Sequence, residues 1–125
     1  MQNVTKYAPL LGRVLLGLLF LIAGAGKLSD VAGFAGYLAS GGLPAFLAWP
    51  SIIFEIVLGA GLIIGYQARI LALLGAGFCI VTALLYHFQP ADQMQMTMAF
   101  KNFAIAGGLL YVFAFGAGTM AIDKN

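Results

Sequence analysis

Charge is scarce in this chain. Only 8% of its residues are Asp, Glu, Lys or Arg, against roughly 25% in a typical soluble domain. Cysteine is scarcer still, with Cys79 alone inside an apolar run. That excludes an internal disulfide and a Cys-x-x-Cys site for thiol exchange or zinc, and makes Cys79 a small buried hydrophobe. There is one histidine, His87, so two imidazoles from one protomer cannot ligate a haem. No P-loop, dinucleotide glycine fingerprint or serine elbow is present. A formal net charge of +2 is too small to argue for a nucleic-acid partner.

Apolar residues, by contrast, make up 62% of the chain, and mean hydropathy is +1.01. Four apolar runs stand out, at 10–28, 46–66, 70–88 and 98–122. Each has about the length that crosses a bilayer as a helix. Backbone groups in lipid must be satisfied within the protein, and the runs lack the alternation of a barrel strand. The expected fold is an all-α, antiparallel four-helix transmembrane bundle, one domain over 1–125. The first run follows Lys6 and Arg13 and contains Ala23-Gly24-Ala25, features shared with a cleaved signal peptide. It continues to Leu28 and precedes three further runs, so it is read as a retained span.

The connections differ in character. Residues 66–69 make a very short link. The link 29–45 opens with Ser29-Asp30, a helix-start signal, and places Val31, Phe34 and Leu38 on one face before Gly41, Gly42 and Pro44. It is read as a short amphipathic helix at the membrane surface. Lys6, Arg13, Arg69 and Lys124 fall at one side of the bundle, with Lys27 and Lys101 near the other. The excess of positive charge places both termini in the cytoplasm. Glycines are dense in the spans, which lets helices approach closely. The Gly61–Gly65 spacing suits either internal packing or a homodimer face.

Glu55 sits about 13 Å inside the second run, where an ionised carboxylate is costly and marks a functional site by default. On the first span Arg13, Gly17, Phe20, Gly24 and Lys27 share one helical face. His87 closes the third span, and Lys101 and Asn102 open the fourth from the same side. All four helices therefore contribute a polar residue to one half of the bundle, with Arg13 near the opposite face. Glu55 is neutralised either by a proton or by Lys27, Lys101 or Arg13 through water. Glu55 and His87 are the candidate proton-exchanging pair, and Lys27, Lys101, Asn102 and Arg13 are candidate ligand-binding residues. Packing that fixes helix register is the competing use of the same groups. Met94-Gln95-Met96-Thr97-Met98 near His87 has the character of a soft Cu(I) site, but methionine is also an ordinary apolar filler at a helix start, and no metal site is assigned.

The ordered set Arg13-x3-Gly17-x2-Phe20-x3-Gly24-x2-Lys27, then Glu55, Gly65 and Arg69, then His87, then Phe100-Lys101-Asn102 with Gly107-Gly108-Leu109-Leu110 resembles the DoxX family. The resemblance implies a small four-helix bacterial inner-membrane protein with no covalently bound cofactor. It also implies a place as subunit or partner in a quinone-linked redox process, quinone being the implied ligand and a membrane or soluble redox protein the implied partner. The other class it implies is a non-catalytic membrane assembly factor or binding subunit.

Overall fold

The computed structural model describes residues 2–123, with side chains from residue 4 onward. Five α-helices follow in order, and there is no strand among the described residues: α1 (Gln2–Lys27), α2 (Val31–Ser40), α3 (Ala48–Ile64), α4 (Ala68–Thr82) and α5 (Gln93–Phe115). Four helical stretches are long and apolar enough to cross a membrane. Polar residues extend two helices beyond the apolar runs. α1 starts at Gln2, and α5 starts at Gln93, where the Asp92 carboxylate accepts from the Met94 and Gln95 amides and caps the helix.

The bundle is built as two close pairs, α1 with α3 and α4 with α5. At the first crossing, Gly17 meets Gly59 so tightly that a Cβ on Gly59 would lie 2.6 Å from the Gly17 carbonyl oxygen and 2.5 Å from the Leu21 amide nitrogen. Gly24 faces Glu55 and Ile56 in the same seam. The predicted stripe on α1 is thus its bundle face, with Arg13, Gly17, Phe20 and Gly24 buried and Lys27 half-buried at its end. In the second pair, Ala68, Ala72, Gly75, Ala76 and Cys79 form a small-residue edge on α4. Ala106 and Leu109 of α5 lie with that edge in the main core, which Phe20, Leu58 and Leu62 fill from the other pair. Gly61 and Gly65 are used within the protomer. Gly61 faces Leu71, while Gly65 takes a left-handed φ of 75° that ends α3 and packs against Ala121.

The link between α1 and α3 contains the helix α2. Asp30 breaks the helical path (φ −154°, ψ 71°) and its carboxylate accepts from the Gly33 amide at 2.9 Å. Leu38 is buried, with Val31 and Phe34 packed around it, and Ala48 and Tyr86 complete this smaller core. Gly41 stops α2 and leaves room for Tyr86, whose ring would overlap any Cβ placed there.

The expected span over 98–122 is corrected at its end. The helix stops at Phe115, because Gly116 (φ 84°) and Gly118 (φ 89°) turn the chain back. The returning segment serves groups that helix ends leave unpaired. The amides of Ile122 and Asp123 donate to the carbonyls of Ile64 and Gly65, at 3.1 and 2.9 Å. The Asp123 carboxylate accepts from the amides of Gln67 and Ala68, both at 2.8 Å, and so caps the start of α4.

Candidate functional site

A cavity of about 260 Å³ lies at the end of the bundle where α1 and α4 finish and α3 and α5 begin. Its polar lining includes Lys27, Glu55, His87, Lys101 and Asn102. The structure therefore gathers five of the six residues singled out from sequence, one or two from each spanning stretch.

Glu55 is the buried member, its side chain 5% exposed. It lies two turns into α3, and Gly24 opposite leaves space for it. Lys27 donates to both carboxylate oxygens, at 2.7 Å to Oε2 and 3.0 Å to Oε1. The expected choice among neutralising partners thus resolves to a direct, two-point ion pair with Lys27. Its Nζ also lies 5.1 Å from the centroid of the Phe34 ring, a cation–π distance that ties α2 to the same charge.

His87 ends a π-helical turn over Ala83–His87 that continues α4. Such turns widen the helix by one residue per turn and are frequent at functional sites. Here the turn brings Tyr86 and His87 to the cavity wall. His87 Nδ1 lies 2.8 Å from Gln95 Oε1. With the Gln95 amide oxygen as acceptor, Nδ1 carries the hydrogen and Nε2 of a neutral ring keeps a lone pair; with the amide turned over, the roles exchange. Asn102 donates from Nδ2 to the Thr82 hydroxyl at 3.1 Å and to the Cys79 carbonyl at 3.4 Å, a link between α5 and α4. Lys101 is exposed and makes no ion pair or hydrogen bond among the described residues.

Sequence reasoning missed the aromatic wall. Tyr37 and Tyr86 stack with centroids 4.8 Å apart, and the Tyr86 hydroxyl donates to the Leu38 carbonyl at 2.7 Å. Phe34 and Phe78 also face the cavity. No local pattern marks a π-turn, and an aromatic residue in an apolar run reads as membrane filler. The glycine at 41, set to stop α2, was the available hint that something large packs there.

Arg13 does not join this group. It lies on the stripe shared with Lys27, but positions 13 and 27 of one helix are about 21 Å apart. It is 1% exposed. Its guanidinium donates to the carbonyls of Leu62 at 2.8 Å, Ile63 at 3.2 Å and Met120 at 2.5 Å. Arg13 thereby closes the end of α3 and holds the returning C-terminal segment. Its assignment as a ligand-binding residue of the Glu55 site gives way to this second, distant station. Met98 lines the Glu55 cavity, whereas Met94 points out at 75% exposed, so the methionine run is not gathered at His87.

Over 124 residues the chain is 34% identical to Inner membrane protein YqjF of Escherichia coli (strain K12), covering 99% of this chain and 95% of that protein. Over 123 residues it is 28% identical to Inner membrane protein YphA of the same organism, covering 93% and 88%. No solved structure matches. The DoxX family matches residues 8–88, which hold Arg13, Lys27, Glu55 and His87, and with near full-length similarity to YqjF this establishes that the chain belongs to the DoxX family.

Proposed function

We propose that this chain is an inner-membrane component of a quinone-linked redox process, with a quinone-type ring seated in the Glu55 cavity. The observation that carries the reading is the cavity lining, in which ionisable groups from all four spans stand beside Phe34, Tyr37, Phe78 and Tyr86. A volume of about 260 Å³ lies just below the usual range for ligand pockets, roughly 300–1,000 Å³, so it suits one ring and leaves an isoprenoid tail to the lipid. Aromatic faces suit a planar ring, and a few convergent polar groups fix its orientation.

When bound, a quinone supplies two-electron, two-proton chemistry that no side chain here supplies. The roles of the residues shift from those expected of the sequence. Glu55, engaged by Lys27 at both oxygens, positions the ammonium. Lys27 and Lys101 then present donors to ring oxygens, and His87 Nε2 is the proton-exchanging atom because Nδ1 is tied to Gln95. Asn102, with its amide nitrogen committed to α4, shapes the wall.

In lipid nanodiscs a short-tailed quinone analogue is expected to bind the wild type saturably. His87→Phe is expected to lower that affinity about tenfold, the equivalent of one good hydrogen bond. Absence of saturable binding by the wild type contradicts the proposal. The second reading, a non-catalytic assembly or binding subunit, draws on the same contacts. Lys27–Glu55 ties α1 to α3 and Asn102 ties α5 to α4, so the cluster also sets helix register. Under that reading Glu55→Gln weakens the fold or a protein partner's recovery, and no ligand is displaced.

The proposal includes orientation. Lys6 and Arg69 lie at the Arg13 end, the positively charged and hence cytoplasmic side, and α2 rests at the opposite surface. Lys124 falls outside the described residues. In a Cys79→Ala background, a cysteine at exposed Gln93 is expected to react with an impermeant thiol reagent on intact spheroplasts. One at exposed Tyr66 is expected to react only after the membrane is opened; Tyr66 avoids the left-handed backbone of Gln67, φ 51°. The reverse labelling order inverts the bundle.

A further inference from the structure

The charges lining the Glu55 cavity do not cancel. Two ammonium groups, Lys27 and Lys101, face it with one carboxylate, Glu55, and His87 adds a further positive charge whenever it is protonated. The other titratable groups in the lining, Tyr37, Cys79 and Tyr86, bring no positive charge and are neutral in their ordinary state. Lys27 is matched by Glu55 at close range. Lys101 has no carboxylate partner among the described residues. Lys101, although exposed, lines the cavity with no anion beside it, so the lining carries one cation in excess and has room for one anion.

We propose that the cavity is selective for an anionic planar ligand: a single aromatic ring bearing an oxyanion, which completes the charge balance between Lys101 and the Lys27–Glu55 pair. The inference rests on the reading of this cavity as the ligand site and adds the charge of what enters it. The ring lies among Phe34, Tyr37, Phe78 and Tyr86, and the oxyanion takes the unused donors of Lys101. His87, when protonated, strengthens the same preference. A neutral ring of equal size makes the aromatic contacts and leaves Lys101 unpaired. A lipid phosphate offers similar oxyanion chemistry without the ring, so the two sources are separable.

The test uses the full-length protein in phosphatidylcholine nanodiscs, with empty nanodiscs subtracted to remove partitioning into lipid. Saturation-transfer NMR at neutral pH compares salicylate, an anion, with salicylamide, its neutral planar counterpart, and with a short-tailed quinone analogue. Salicylate is expected to bind about tenfold or more tighter than salicylamide, the scale of one partly desolvated charge pair. Lys101→Gln is expected to reduce that ratio below about threefold, and Lys101→Arg to retain it. Equal affinity for the two compounds in the wild type overturns the inference, and saturable quinone binding in the same samples would then leave the quinone reading standing. Salicylate preference without quinone binding supports the anion site and removes the quinone reading. If phosphatidylglycerol nanodiscs abolish salicylate binding in the wild type but Lys101→Gln leaves the salicylate-to-salicylamide ratio unchanged, the oxyanion source is the lipid headgroup and the inference fails.

Discussion

Gly59→Val is expected to leave little folded protein in the membrane, whereas Gly77→Val, also mid-helix, is expected to be tolerated. The difference lies in what each new side chain meets. At Gly59 the first added carbon already falls 2.5 Å from the Leu21 amide nitrogen, 2.6 Å from the Gly17 carbonyl oxygen and 2.8 Å from Leu21 Cβ. Two of these three are backbone atoms of α1, so relief requires α1 and α3 to separate, and the contacts of the whole seam go with them. Ordinary core overpacking costs about 1–3 kcal/mol, and a clash that rotamer changes cannot relieve belongs at or beyond the upper end. At Gly77 nothing lies within 4 Å, so the valine side chain meets open space. Thermal unfolding in mild detergent, followed by helicity, separates the two. A Gly59→Val protein that melts with the wild type would mean that α1 and α3 do not cross where described.

Arg13→Leu carries the second large effect. One side chain donates to three carbonyls that have no other partner of equal standing, two at the end of α3 and one at Met120. A buried carbonyl left without a donor, as at Leu62, costs about 1–3 kcal/mol, and the part-buried carbonyls of Ile63 and Met120 add less, so a total loss near 3 kcal/mol is expected. Arg13→Lys is expected to recover little, because a single ammonium cannot reproduce the planar fork that reaches three acceptors. The consequence is local before it is global. Segment 116–123, held at Met120 and by the Asp123 cap, should become sensitive to limited proteolysis, while ligand binding at the Glu55 cavity, whose lining excludes Arg13, remains. Unchanged proteolysis in Arg13→Leu would show that the segment is held by its backbone bonds alone.

How far the sequence leads differs between the two ends of the bundle. The spans are legible because lipid permits little besides apolar helices. The face of α1 is legible because glycine and charge recur at helical spacing from Arg13 to Lys27, and burial follows that stripe. The start of α2 follows from Asp30, whose cap geometry is local. Grouping Lys27, Glu55, His87, Lys101 and Asn102 needed only helix direction and depth along each span. What stayed hidden depends on contacts distant in sequence. The segment 116–123 is apolar enough to read as the rest of a span, and its job of closing α3 and α4 is set by the distant partners Ile64, Gly65, Gln67 and Ala68. Arg13 looks like a candidate for the site because periodicity reports the face of a helix and carries no information on which neighbour meets it at each height. The Lys27–Glu55 pairing depends on side-chain reach at a crossing that Gly24 makes close. The Tyr37–Tyr86 stack follows from tertiary packing against α2, and the π-turn at Ala83–His87 has no local sequence signal.

The central claim is that the Glu55 cavity holds a quinone-type ring. Organic extraction of protein purified from its native membrane in mild detergent, with the quinone in the extract quantified by chromatography against protein, tests it most directly. The account predicts close to one quinone per chain in the wild type. It predicts loss of most of that quinone in Lys27→Met, where the ammonium that Glu55 positions is gone, and retention in Gly77→Val, whose substitution lies outside the cavity lining. Quinone at the level of bulk lipid carry-over in all three would contradict the claim and leave the polar cluster as a lock on helix register.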